Sequence, residues 1–235
     1  MKAGLIAAGQ GERLRHAGIT VPKPLVEIAG SPLIDHVLNA AAAAGIDEVA
    51  CIFNDEADAV EAHCRGRRGG PPLTIVRRTT PSSMESLFAL APHLRDGPFL
   101  LLTVDAVFAP AVLRDFLIAA AGHADAAVVL AATDFVDDEK PLRLTLGADG
   151  TVTALGDGAD GSPLVTSGFY RVDPGVFAEI DAARAAGFTA LRQYLSHLLR
   201  RGYRLVGVRA GKTVDVDRPR DIAAADAFVR SGFAP

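Results

Sequence analysis

The feature that most constrains the fold is a rhythm in the first half of the chain. Short apolar runs, each too brief for a core helix, alternate with amphipathic helical stretches. Lys2–Ala8, Glu48–Phe53, Leu73–Val76, Phe99–Thr103 and Ala126–Ala131 read as strands. Pro32–Ala44, Asp55–Arg65, Met84–Leu94 and Pro110–Gly122 read as the helices between them. In the first helix Leu33, Val37, Leu38 and Ala41 share a face, Pro32 suits the first turn and Gly45 stops it. Such alternation is the signature of βαβ units and a mostly parallel sheet buried on both faces.

The rhythm then changes. Arg143–Leu146 and Val152–Leu155 flank the tight-turn sequence Gly147-Ala148-Asp149-Gly150 and read as a hairpin. Pro163–Val172 is another strand, Pro174–Ala186 and Ala190–Arg201 are helices, and Arg204–Arg209 is a strand. Val214–Val216 and a helix over Pro219–Val229 follow. No Pro/Gly/Ser-rich linker isolates the segment at about 140–200, so it reads as an insertion within one domain spanning 1–235.

Composition excludes several classes. A net charge of −4 argues against nucleic acid as a partner, which calls for a basic face. Cys51 and Cys64 lack redox or zinc-ligand spacing, and Cys51 sits in an apolar run as a small core residue. The N-terminal apolar run is only about six residues, short of a secretory signal. No stretch approaches the ~20 apolar residues that span a bilayer. The sequence therefore reads as cytoplasmic, with no membrane partner. The histidines are scattered and none pairs with a Ser or Cys nucleophile, which leaves acyl transfer without support.

The first strand breaks into Ala7-Ala8-Gly9-Gln10-Gly11-Glu12-Arg13-Leu14, and Pro22-Lys23-Pro24-Leu25 follows. Glycines let backbone N–H groups approach phosphate oxygens, while Arg and Lys add charge-assisted hydrogen bonds. The flanking prolines present Lys23 from a stiff segment. A dinucleotide-binding turn would carry a third glycine where Arg13 stands, and a Walker A loop would need Gly-Lys-Ser/Thr, which this loop lacks. Read without its context, the loop is equally a strand-to-helix turn with scattered surface charges.

The complete string closely resembles the signature of the sugar-1-phosphate nucleotidylyltransferase superfamily, which includes NDP-sugar pyrophosphorylases and molybdenum-cofactor guanylyltransferase-like proteins. The resemblance implies a three-layer α/β/α sandwich around a mostly parallel mixed sheet, a Rossmann-type fold like that of GT-A glycosyltransferases. It implies transfer of a nucleoside monophosphate from an NTP to a phosphorylated small-molecule acceptor, foremost a sugar-1-phosphate, with release of pyrophosphate. By the same resemblance Ala7, Ala8, Gly9 and Gly11 hold the nucleotide, Arg13 contacts the departing pyrophosphate and Lys23 stabilises charge on the α-phosphate.

Asp105 follows the buried run Phe99–Thr103, at the strand end where open α/β sheets bind ligands. A carboxylate there suits Mg²⁺ bridging phosphate oxygens; the bland alternative is a solvated or capping Asp ahead of Pro110. The segment Thr213–Ile222 resembles the superfamily's C-terminal acidic motif. Its metal ligand by motif alignment is Asp215, with Asp217 the second choice, two residues apart and pointing the same way in an extended segment. Asp221 reads as serving the last helix's positive end. Arg77, Ser82 and Ser83 fall where relatives read base and ribose, and Ser86 offers them a further hydroxyl, although Ser82 or Ser83 also suits a helix cap with Glu85 in the first turn. Thr166 and Gly168 match a segment that approaches the acceptor, or mark a bulge. Three rivals remain at this level: a cytidylyltransferase for an alcohol phosphate or phosphonate, a glycosyltransferase, which would use an intact Asp-x-Asp absent here, and an NTP-sensing domain without turnover.

Overall fold

The computed structural model of the protein describes residues 1–135 and 141–234. In chain order its elements are β1 (Lys2–Ile6), α1 (Glu12–His16), β2 (Glu27–Ile28), β3 (Ser31–Pro32), α2 (Leu33–Ala43), β4 (Glu48–Phe53) and α3 (Asp58–Gly66). Next come β5 (Leu73–Arg77), α4 (Ser83–Leu90), β6 (Phe99–Thr103), β7 (Ala106–Phe108), α5 (Pro110–Ala121) and β8 (Val128–Thr133). The hairpin β9 (Leu144–Leu146) and β10 (Val152–Leu155) precedes β11 (Val165–Val172), α6 (Ile180–Ala185) and α7 (Leu191–Arg200). The chain closes with β12 (Leu205–Arg209), β13 (Thr213–Asp215) and α8 (Pro219–Arg230).

The main sheet has the strand order β12-β8-β11-β6-β1-β4-β5. β11 runs antiparallel to both neighbours, and the other pairings are parallel. Side chains alternate across it with period two. Leu101, Ile52 and Leu130 enter one core with α4, α6 and α7. Leu100, Leu102, Cys51 and Val129 enter the opposite core with α2, α3 and α5. That is the three-layer sandwich read from the sequence. From β1 the chain builds outward to β4 and β5, then returns to place β6 on the other side of β1. The carboxyl ends of β1 and β6 thus form the switch point at which such sheets open a crevice.

A third, smaller core lies beyond that crevice. It joins Leu14 of α1, Val26, Ile28, Leu33, Val107 of β7, Val214, Val216 and Phe228 of α8. β7 pairs antiparallel with β13, Asp215 opposite Ala106, and the Val216 N–H donates to the Asp105 carbonyl at 3.0 Å. The β2–β3 tip is tied to α8 by the Ala29 N–H, which donates to Asp226 at 2.7 Å.

Boundaries shift in informative ways. β1 ends at Ile6, because the loop begins there, and the stretch read as one helix from Pro174 begins as a 3-10 turn over Pro174–Glu179. The hairpin docks on the sheet edge, where Gly207 N–H donates to the Gly150 carbonyl at 2.9 Å. The first residue of the segment read as an insertion lies outside the described residues. Among the described residues no helix is long and apolar enough to cross a membrane.

Candidate active site

Gly11 opens α1 with φ 61 and ψ 36, a left-handed conformation that glycine adopts without the side-chain penalty. A Cβ there would stand 3.0 Å from Lys23 Cβ. Gly9 has open space around it, so Gly11 is the loop position that requires glycine. α1 is only five residues long; its Leu14 is buried in the third core, and this anchor turns Arg13 toward the crevice.

Lys23 sits in a 3-10 turn between Pro22 and Pro24. Its ammonium donates to Asp105 at 2.8 Å and to Asp217 at 2.6 Å. Arg13 donates to the other oxygen of Asp217 at 2.8 Å. Burial works to lower the Lys23 pKa, but the two carboxylates outweigh it and hold the ammonium above the ordinary lysine range. Burial likewise works to raise Asp105, and Lys23 with the Thr103 hydroxyl outweighs it, leaving that carboxyl below its usual range. Lys23 and Asp105 are therefore both ionised at neutral pH.

These groups line one side of a cleft of about 820 Å³, whose floor is the glycine loop from Ala8 to Arg13. The opposite wall is Thr79–Ser83 with Ser86. There Ser82 caps α4 by accepting the Glu85 N–H at 3.2 Å, and Ser83 accepts the Leu191 N–H at 3.1 Å. Both serines border the cleft while serving these structural bonds. The Thr80 and Ser86 hydroxyls, 2.6 Å apart, are further polar groups on this wall; Thr80 is the addition to the sequence reading, and its signal there is the run of hydroxyl residues from Thr79 to Ser86.

The remaining candidates fall elsewhere. Arg77 is not in the cleft lining; it bonds Glu61 and Asp58 of α3, each at 2.8 Å, and the Asp55 carbonyl. The physical reason is strand alternation, which puts Arg77 on the α3 face with Leu73 and Ile75. Ala7 is buried, its N–H on the Ile52 carbonyl, and it borders a second cavity of about 460 Å³ on the other side of the glycine loop. Gly168, at φ 78, lies where the β11 register shifts between Thr166 and Tyr170. A Cβ on it would stand 3.0 Å from Thr103 Oγ1 and 4.0 Å from Asp215 Oδ1. Thr166 accepts from the Tyr170 hydroxyl at 3.2 Å, and burial pushes that phenol up to about 12.

Asp217, the second choice by motif, is thus the residue that shares Lys23 with Asp105, while Asp215 faces Gly168. Asp221 accepts the N–H groups of Asp217 and Arg218 at 3.0 and 2.7 Å and so sets the backbone that carries Asp217. Among the described residues no group of three or more His, Cys, Asp or Glu gathers to hold a metal. The donor set nonetheless suits a hard cation. Two carboxylates converge on one point, and Mg²⁺ keeps several waters and takes its other oxygens from substrate phosphates.

The chain matches the model of the MobA-like NTP transferase domain over residues 3–202. It is 31% identical over 188 residues to the N-acetylmuramate alpha-1-phosphate uridylyltransferase of Caulobacter vibrioides, covering 75% of this chain and 77% of that one. It is 34% identical over 161 residues to the CMP-5'-(3-aminopropyl)phosphonate synthase of Streptomyces rubellomurinus. That match takes in 65% of this chain but only 24% of the relative. The fold superposes on the inositol-1-phosphate CTP transferase of T. maritima with a TM-score of 0.84 at 17% identity, covering 100% of this chain and 98% of the other.

Proposed function

The chain belongs to the MobA-like NTP transferase family, and from that premise we propose that it moves a nucleoside monophosphate from an NTP to a sugar-1-phosphate and releases pyrophosphate. The observation that carries the reading is the convergence of Lys23, Arg13, Asp105 and Asp217 at the mouth of the glycine-loop cleft. In this reading the backbone from Ala8 to Gly11 cradles the triphosphate, Arg13 takes charge on the departing pyrophosphate, and Lys23 neutralises charge on the α-phosphate. Asp105 and Asp217 would hold Mg²⁺, which when bound would supply further positive charge to the phosphate oxygens. Asp215, Thr166 and Gly168 face the acceptor. Its phosphate is already ionised, so attack needs positioning in line and no general base. We read the reaction as a cytoplasmic one, since NTPs are its donors.

A second acceptor class is favoured by one relative, whose name couples CMP to an aminoalkylphosphonate. The test is pyrophosphate release with each NTP, Mg²⁺ and a panel holding sugar-1-phosphates, alcohol phosphates and 3-aminopropylphosphonate. Release with one NTP and a sugar-1-phosphate is expected. Release only with phosphonate moves the chain to the second class; tight NTP binding without release from any pair overturns catalysis.

A further inference from the structure

The two carboxylates that suit a divalent cation already share a cation of the protein's own. Lys23 Nζ lies 2.8 Å from Asp105 and 2.6 Å from Asp217, with Arg13 on the far oxygen of Asp217. Two negative side chains are matched by two positive ones. The lysine side chain is 9% exposed, whereas the aspartates are 31% and 39% exposed toward the cleft. Lys23 is therefore the most enclosed of the three, and its ammonium takes lone pairs that a metal would use.

Resting on the reading of this cleft as a nucleotidyl-transfer centre, we infer that Lys23 and the divalent cation compete for Asp105 and Asp217, so that metal binds well only when nucleotide draws the lysine away. A hard dication placed beside a retained ammonium would face like-charge repulsion in a partly buried site, where screening is weak. A triphosphate relieves this by offering Lys23 and Arg13 new anionic partners. The side chain is built for the exchange. Pro22 and Pro24 hold its backbone, the flexible four-carbon stem lets Nζ swing, and that stem passes under Gly11, on the loop that would receive phosphate. Coupling of this kind is reciprocal: metal tightens nucleotide as much as nucleotide tightens metal.

The test uses Mn²⁺, which shares the oxygen preference of Mg²⁺, and reads free Mn²⁺ by electron paramagnetic resonance without nucleotide. Lys23→Met should bind Mn²⁺ at least about tenfold tighter than wild type. Lys23→Arg, which keeps the charge, should stay close to wild type. Adding Asp217→Asn to Lys23→Met should remove the gain and so locate the ion. A non-hydrolysable NTP should tighten Mn²⁺ on the wild type. Unchanged or weaker Mn²⁺ binding by Lys23→Met overturns the inference. Should that variant be too unstable for titration, the Mn²⁺-dependent rise in its Tm replaces the resonance signal, since at a fixed concentration a ligand specific for the native state raises Tm more the tighter it binds; a rise no larger than the wild type's overturns the inference equally. Wild-type turnover with unchanged Mn²⁺ binding by Lys23→Met sinks the competition alone. Tightening without wild-type turnover sinks the functional reading alone.

Discussion

At the scale of single residues, the site depends on where a few atoms are allowed to be. Gly11 is the sharpest case. Its φ of 61 and the 3.0 Å separation between a built Cβ and Lys23 Cβ leave no room for alanine without moving the lysine stem. Gly11→Ala should cost about 1–2 kcal/mol of stability from the left-handed backbone. Loss of activity should exceed that, at least about tenfold in kcat/KM, because the displaced group is Lys23. Thermal unfolding and steady-state kinetics on the same preparation check both figures; unchanged kinetics would mean that Lys23 placement does not matter. Gly11 and Lys23 were legible in the sequence as a motif, but their contact was not, since eleven intervening residues fold back to make it. Arg77 was misplaced from sequence by its nearness to the hydroxyl loop. The alternation of Leu73, Ile75 and Arg77 carried the right answer, and it outweighs proximity along the chain.

At the scale of elements, long periodic segments were legible, and short ones mainly where a turn sequence marked them, as in the β9–β10 hairpin. The runs that became β4 and β6 declared themselves by unbroken apolar content. α1, β7 and β13 span five, three and three residues, too few to display any period. Yet the pairing of β7 with β13 is what brings Asp105 and Asp217 to one ammonium. A pairing between segments so far apart in sequence is fixed by the third core rather than by local propensity, so residue types announced the acids but not which two would meet. α8 supplies the lid of that core, and Phe228 is its largest anchor. Phe228→Ala should cost roughly 3 kcal/mol or more by truncating a buried aromatic. It should weaken nucleotide binding as well, because α1 and the β13 end rest on the same core. Calorimetry together with nucleotide titration distinguishes this from a purely distant stability effect, which would leave affinity in the folded fraction unchanged.

At the scale of the whole molecule, the sheet order decides where chemistry is possible. Because β1 lies between β4 and β6, the glycine loop and Asp105 leave the sheet side by side at its carboxyl edge. The C-terminal segment then returns across the crevice to add Asp217. Membership of the NTP transferase family gives this arrangement its reaction. The central claim is that Lys23 and Asp105 supply the charge that makes an NTP transfer its nucleotide at this crevice. It is tested most directly by pyrophosphate release, followed side by side for wild type, Lys23→Ala and Asp105→Ala with Mg²⁺ and the productive substrate pair. Each variant should retain wild-type secondary structure by circular dichroism and lose turnover by about 10²–10³-fold or more, the range for removing one preorganised charge-stabilising group. Folded variants that release pyrophosphate at the wild-type rate would contradict the account.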